Sequence, residues 1–259
     1  MYGKNYLCLA FLLGTQVIAA EEQTDSTAAT ESDAAQTMDT TEDNTWKGEG
    51  ELGITYTSGN TETQNFIAKL NINRTQTVWE HQADLEVLRA EDHSELTAER
   101  YVLNLQSNYK LSAKNYLFGA FRYEDDRFSG YDHQASLTTG YGRKVIDTER
   151  TSLKLEGGVG VRQTKLETPD ETNNEGIVRL ALNYSQHIGE HSVFTQDFLV
   201  ETGSDNTYTE SSTGLKVSVM DNIALKLSFT AKRNSDIPTT NTDIEKTDTI
   251  SAVTLVYSF

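Results

Sequence analysis

Charged side chains of both signs recur at alternating positions along much of this chain, and they are the residues best placed to do chemistry. In an extended strand alternate residues share a face, so each series would line one wall. Two roles are open for such a wall: a narrow, weakly selective pore lined with charge, or an interior closed by salt bridges and hydrogen bonds. We call these residues the candidate lumen charges, since they would face the interior, or lumen, of a closed set of strands. Eight are acidic and eight basic: Glu49, Glu51, Lys69, Asp84, Glu86, Arg100, Arg122, Glu124, Lys154, Glu156, Arg162, Arg179, Asp197, Glu201, Lys216 and Lys226.

The histidines do not form a convincing catalytic or metal-binding pattern. His187 and His191 have the spacing of metal ligands on a helix, but Ile188-Gly189-Glu190 between them predicts a tight turn. His133 is placed to face outward on a strand, with Ser129 in the preceding loop. Outer-membrane phospholipases place a Ser–His pair on the lipid-facing wall, yet no orienting group stands beside this one. We therefore predict no catalytic residues, no metal and no cofactor.

Charge and cysteine content narrow the classes of partner. The formal net charge of −17 argues against nucleic acid, because a phosphate backbone needs a basic footprint. The chain's one cysteine, Cys8, falls in a predicted leader, so the mature protein would contain no disulfide and no thiolate metal site.

The last residues carry the most specific pattern in the chain. Val253, Leu255, Tyr257 and Phe259 are apolar at a strict period of two, which places them on one face of a strand. A final phenylalanine preceded in this way is typical of the membrane-insertion signal of outer-membrane barrels. We expect the barrel-assembly machinery to read it during insertion.

The other end of the chain predicts export. Residues 1–20 combine the positive charge of Lys4, an apolar stretch at Tyr6–Val17 that is too short to span a bilayer, and a small-residue cleavage site ending at Ala20. Residues 21–45 hold eight Asp or Glu and no Lys or Arg. Such a segment cannot bury enough apolar surface to order itself, so it predicts a disordered acidic tail in the periplasm.

Alternating stretches fill the rest of the chain and predict its fold. About twelve of them lie within residues 46–259, beginning near Trp46–Thr57 and ending at Phe259. The connections alternate between shorter and longer, as in barrels with short periplasmic turns and long outer loops. In hydrocarbon an open sheet edge is not viable, so the strands must close. The predicted fold is an all-β, antiparallel transmembrane β-barrel of about twelve strands.

Aromatic residues cluster near the predicted strand ends, which indicates two interfacial girdles. Those expected near periplasmic or closing ends are Trp46, Trp79, Tyr109, Tyr116, Phe194, Tyr257 and Phe259, and those expected near outer ends are Tyr56, Tyr123, Phe128, Tyr131 and Tyr208.

Several segments resemble one known family. The opening stretch at residues 46–61, WKGEGELGITYTSGNT, resembles the first strand and TSGNT turn of the salt-induced outer membrane proteins of Gram-negative bacteria. YEDDRFSGY at residues 123–131, Tyr141-Gly142 and the terminal LVYSF are also similar to that family. The resemblance covers residues 46–259 and implies an outer-membrane barrel with a link to salt stress. It implies no reaction and no catalytic residue.

The sequence thus predicts an integral barrel in the outer membrane of a Gram-negative bacterium, without enzymatic activity. Its expected role is structural or that of a small-solute pore in salt or osmotic adaptation. Expected partners are outer-membrane lipid and lipopolysaccharide, with the assembly machinery during insertion, and the oligomeric state stays open. Two alternatives remain: a membrane-embedded lipid hydrolase and a soluble exported β-sandwich that binds a ligand.

Overall fold

A computed structural model describes residues 44–58, 63–92, 95–126, 129, 131–166, 171–236 and 245–259. These residues form twelve strands. They are β1 (Asn44–Ser58), β2 (Thr63–Gln76), β3 (Trp79–Asp92), β4 (Glu95–Lys110), β5 (Asn115–Asp126), β6 (Tyr131–Asp147), β7 (Thr151–Leu166), β8 (Thr172–Ile188), β9 (Ser192–Thr202), β10 (Thr207–Met220), β11 (Ile223–Asn234) and β12 (Thr247–Ser258). No helix long and apolar enough to cross a membrane occurs in the described ranges.

The strands form one closed barrel. Each strand pairs antiparallel with its neighbour in sequence, and β12 returns to pair with β1. The predicted twelve-stranded antiparallel β-barrel is therefore confirmed. The first strand begins at Asn44, two residues earlier than expected. The predicted signal peptide and residues 21–43 of the predicted tail lie outside the described residues.

The two ends of the barrel differ. Short turns join the strands at residues 77–78, 111–114, 148–150, 189–191 and 221–222, and Asn44 and Phe259 lie at this same end, here called the terminus end. Gly189 takes a φ of 71° in one of these turns, a left-handed conformation that glycine adopts without steric cost. The other connections, which include residues 203–206, form the opposite or loop end.

The outer wall is an apolar surface. Leucine, valine and aromatic side chains at alternate positions are exposed there, among them Val159, Leu180 and Leu227. The intervening residues face the lumen and are mostly polar or charged. This reversal of the usual arrangement suits a barrel that has lipid outside and polar side chains inside.

Glycines of β6 and β7 make room for two aromatic rings inside the barrel. A Cβ at Gly142 would overlap the ring of Tyr116, and one at Gly158 would meet the ring of Phe118 and the backbone of Thr139. Tyr116 and Phe118 are 3% and 2% exposed. The glycines therefore permit close packing of the inner wall.

Part of the inner wall is apolar, which the sequence pattern did not predict. Ile67, Leu88, Ile250 and Ala252 form a buried cluster contributed by β2, β3 and β12. They lie on the lumen side because they alternate with the exposed residues of the same strands. Strand alternation assigns each residue to a face, and it does not tell which inward residues come together in one cluster.

Three aromatic residues expected in the girdles lie elsewhere. Tyr116 and Tyr208 are buried and point into the lumen, where their hydroxyls bond Glu156 and Glu210. Tyr131 is buried as well, and its hydroxyl donates to the carbonyl of Asp236 at 2.9 Å. These predictions were wrong because nearness to a strand end does not fix the face. Phe128 lies outside the described residues.

Candidate functional site: the lumen

The structure places all sixteen predicted lumen charges on the inner wall. Most line a single cavity, and others sit in the ionic clusters described below. The four residues of the predicted insertion signal are exposed on the outer wall instead. Val253, Leu255 and Tyr257 alternate with buried residues of β12, and Phe259 follows directly after the strand.

A cavity of about 590 Å³ lies in the lumen. Its wall combines charged groups with amides and hydroxyls from nearly every strand, and more of the wall is polar than apolar. Toward the loop end it reaches Arg100, Arg122 and Glu210, and the next charged residues along the lumen, Glu124 and Lys232, lie beyond its lining. The cavity therefore ends where charged side chains meet across the barrel.

This cross-lumen cluster centres on Glu124 of β5. Its carboxylate accepts a hydrogen bond from Nε of Arg100 at 2.9 Å and another from Nζ of Lys232 in β11. Since β5 and β11 are six strands apart in a ring of twelve, the Lys232–Glu124 pair joins opposite walls. Such a contact leaves little room for a solute at this level.

A second bridge lies beside it. Arg122 of β5 donates through Nη2 to the Tyr208 hydroxyl at 2.8 Å and to the Glu210 carboxylate at 2.9 Å, both in β10. The guanidinium also lies 5.1 Å from the centre of the Tyr208 ring. The charges of both signs are paired here, as burial requires.

The wall between β7 and β9 carries another buried cluster toward the loop end. Arg162 contacts Glu175 at 2.6 Å and also donates to the carbonyl of Asn206. Arg179 bonds Glu201 at 3.3 Å, while its Nε is buried and has no hydrogen-bond partner among the described residues. A cavity of only about 10 Å³ lies between this cluster and the cross-lumen cluster, so the described side chains pack closely at this level.

The terminus side of the lumen is more open and its charges are less buried. Lys69–Glu86, Lys216–Glu49 and Lys226–Glu51 are ion pairs of 2.7, 2.5 and 2.7 Å between side chains that keep partial exposure, apart from the more buried Glu51.

Three other charges of this region have no ion pair within the described part of the chain. Asp84 accepts hydrogen bonds from Asn71 and Gln82, and Asp197 accepts one from Asn183. Lys154 lines the cavity. All three groups line the cavity without a described ion-pair partner.

The sequence analysis did not single out several members of these two clusters. Lys232, Glu210 and Tyr208 are all inward, and Glu175 on β8 pairs with Arg162. The same alternation would have found Glu210, which is six residues before the predicted Lys216 and so shares its face. Nothing local could have indicated that Lys232 reaches Glu124.

The Ser129 and His133 side chains, which were weighed as a catalytic pair and set aside, do not contact each other among the described residues. Ser129 donates to the carbonyl of Asp126 at 2.8 Å, whereas His133 lies 3.3 Å from the Asp132 carboxylate and stacks on Tyr123. A different pair exists on the outer wall, where Nδ1 of His81 lies 2.9 Å from Oγ of Ser107. In the described ranges no three His, Cys, Asp or Glu side chains are grouped as a metal site would require.

Comparison with known proteins agrees with the barrel. YdiY, an uncharacterised protein of Escherichia coli (strain K12), is 29% identical over 215 residues, which is 81% of this chain and 82% of that one. A crystal structure of the porin NanC superposes with a TM-score of 0.55 over 80% of this chain and 98% of the porin, at 9% identity. This second likeness shows a porin-like fold. The profile of the family described as "Protein of unknown function, DUF481" matches residues 50–259, and the chain belongs to that family.

Proposed function

We propose that the protein is an integral outer-membrane barrel whose lumen admits small polar or charged solutes. The observation that carries this proposal is the polar cavity of about 590 Å³ inside a closed barrel. A purely structural barrel could fill its lumen with paired or apolar side chains throughout. Here the described side chains pair closely toward the loop end, whereas the terminus side keeps charged groups facing the cavity.

The proposed place of the protein is the outer membrane of a Gram-negative bacterium, with the N-terminal segment in the periplasm. The apolar outer wall supports a bilayer location, and the porin-like fold supports the outer membrane. Surrounding lipid and lipopolysaccharide, and the barrel-assembly machinery, are the proposed partners. The proposed link to salt or osmotic stress rests on the family resemblance of residues 46–259.

In this proposal the cross-lumen cluster limits passage. The Lys232–Glu124 and Arg122–Glu210 pairs join opposite walls at one level, so a solute must displace or skirt them. We expect a small single-channel conductance for the unaltered protein in a planar lipid bilayer.

The test is a double substitution that removes the bridge without leaving an unpaired charge. In Glu124→Gln/Lys232→Met, Arg100 keeps Glu86 and Arg122 keeps Glu210 as partners. The variant should conduct more than the unaltered protein. The matched control, Glu49→Gln/Lys216→Met, removes a pair between β1 and β10 on the open side and should change conductance less. If neither the protein nor the bridge variant conducts ions, the barrel is structural and the proposal fails.

A further inference from the structure

The apolar outer wall is interrupted near the terminus end by a row of polar and aromatic residues. Trp46, Arg74, His81 and Ser107 are successive cross-strand partners on β1, β2, β3 and β4. Each stands an even number of residues from exposed apolar groups of its own strand, such as Leu105 on β4, so the row faces outward. An outward polar group in hydrocarbon is costly, which makes such a row a feature to explain.

The members of the row contact one another. The Arg74 guanidinium lies 5.0 Å from the ring centre of Trp46. The His81 ring stacks on Trp79 at 5.7 Å, and its Nδ1 is 2.9 Å from the Ser107 hydroxyl. Trp79 also meets Tyr109 edge to face, with 5.1 Å between their ring centres. Two tryptophans and a tyrosine thus border a cation, an imidazole and a hydroxyl.

The row lies near the terminus end of the barrel, where the wall of an outer-membrane barrel meets lipid headgroups. Arg74 and His81 stand on either side of the short turn at residues 77–78, close to the terminus end. Tryptophan and tyrosine concentrate at membrane–water interfaces because one end of each side chain is apolar and the other is polar. Groups at this level therefore meet phosphates and glycerol rather than acyl chains.

We propose that this row binds the headgroup of an anionic glycerophospholipid in the leaflet at the terminus end. The phosphate lies between Arg74, whose planar guanidinium matches phosphate oxygens, and His81. Nδ1 of His81 is already engaged by the Ser107 hydroxyl at 2.9 Å, which leaves Nε2 to meet the phosphate. Trp46 and Trp79 flank the glycerol.

Interfacial arginine alone does not explain the row. Arg143 is also exposed on the outer wall near the terminus end, but it has neither an imidazole nor a tryptophan as its register partner, since it pairs with Asn115 and Leu155. It would attract anionic lipid without holding it in one place. This residue provides a matched control.

Intrinsic fluorescence reports on the proposed site directly, because the two tryptophans of the chain are Trp46 and Trp79. The experiment refolds the protein into phosphatidylcholine vesicles that contain a small fraction of brominated phosphatidylglycerol or, in parallel, brominated phosphatidylcholine. Bromine quenches tryptophan only at short range. We expect the same degree of quenching to need about fivefold less brominated phosphatidylglycerol than brominated phosphatidylcholine. One basic group near the membrane surface gives a preference of this size.

The variants decide between a site and a general attraction. Arg74→Gln/His81→Gln should lose most of the preference for the anionic lipid, whereas Arg143→Gln should retain it. The single variants Arg74→Gln and His81→Gln are measured as well, so that a folding defect in the double variant does not prevent a decision. Equal quenching by the two lipids in the unaltered protein, or an unchanged preference in the Arg74 and His81 variants, would overturn the proposal. So would covalent labelling of Ser107 by a long-chain fluorophosphonate, which would indicate lipid hydrolysis instead of binding.

Discussion

Single residues of the inner wall either fill the lumen or leave room for those that do. Gly142 belongs to the second kind, because the ring of Tyr116 occupies the space that a Cβ would take. Tyr116 cannot easily move aside, since its hydroxyl donates to Glu156 at 2.9 Å. The glycine is thus fixed by its neighbour on the adjacent strand rather than by its own backbone conformation.

Replacing Gly142 with alanine should therefore destabilise the barrel. We expect Gly142→Ala to lower the free energy of unfolding by about 1–3 kcal/mol, the usual range for an overpacked site. Gly119 on the outer wall has nothing within 4 Å of its would-be Cβ, so Gly119→Ala is the matched control and should change stability by no more than about 0.5 kcal/mol. Urea titration of the protein folded in vesicles measures both. Equal losses would show that glycine is needed at both positions for its backbone alone.

The ion pairs of the lumen differ in how deeply their side chains are buried. The Arg162–Glu175 pair has side chains 2% and 5% exposed, while Lys69–Glu86 keeps 25% and 20%. Removing one partner of a deeply buried pair leaves an uncompensated charge, which costs far more than breaking an exposed one. The loop side of the lumen is thus the part whose charges the fold cannot easily lose.

At the scale of the strands, a period of two decides which side chains meet lipid. Leu180 of β8 is 57% exposed on the outer wall, and Asn183 on the same strand lines the lumen beside Asp197. The two positions are three residues apart and so lie on opposite faces.

An arginine scan of the two faces tests this assignment. We expect Leu180→Arg to cost about 2–4 kcal/mol of folding free energy if the position lies near the bilayer midplane. Asn183→Arg should cost much less, because the new guanidinium would stand next to the Asp197 carboxylate in a polar lumen. Leu227→Arg and Ser228→Arg on β11 form a second such pair. Equal costs on the two faces in reversible folding experiments would refute the register.

The sequence predicts the strands and their faces better than it predicts contacts between distant strands. The twelve strands and the facing of their charged residues could be predicted, because alternation and turn residues are local signals. The bridge from Lys232 to Glu124 could not, since it joins residues 108 positions apart and exists only once the ring closes. The apolar cluster of Ile67, Leu88 and Ile250 could not be predicted either, because it brings β12 together with β2 and β3, which lie far away in sequence. In a soluble protein an alternating apolar face marks the core, whereas here both faces carry apolar groups.

The whole molecule depends on the seam between β1 and β12, which removes both sheet edges. Phe259 is at the terminus end of this seam. Its N–H and carbonyl oxygen are both hydrogen-bonded to Gly48 at 2.9 Å, and a Cβ at Gly48 would overlap its ring. The ring also stacks on Tyr257, and Phe259 is 65% exposed.

Deleting Phe259 separates folding from assembly. Without Phe259 the seam keeps its register pairs from Glu49–Ser258 to Ser58–Thr249. The loss of folding free energy is therefore at most that of burying one large apolar side chain, about 1.5–3 kcal/mol. We therefore expect the shortened protein to fold in detergent nearly as well as the full chain. If Phe259 is part of an insertion signal, the outer-membrane level in cells should fall strongly, with the chain degraded in the periplasm. Phe259→Tyr, which keeps a terminal aromatic, is the control and should preserve most of that level. Membrane fractionation with immunoblotting measures the difference, and a normal level of the deletion variant would leave Phe259 with only its role at the seam.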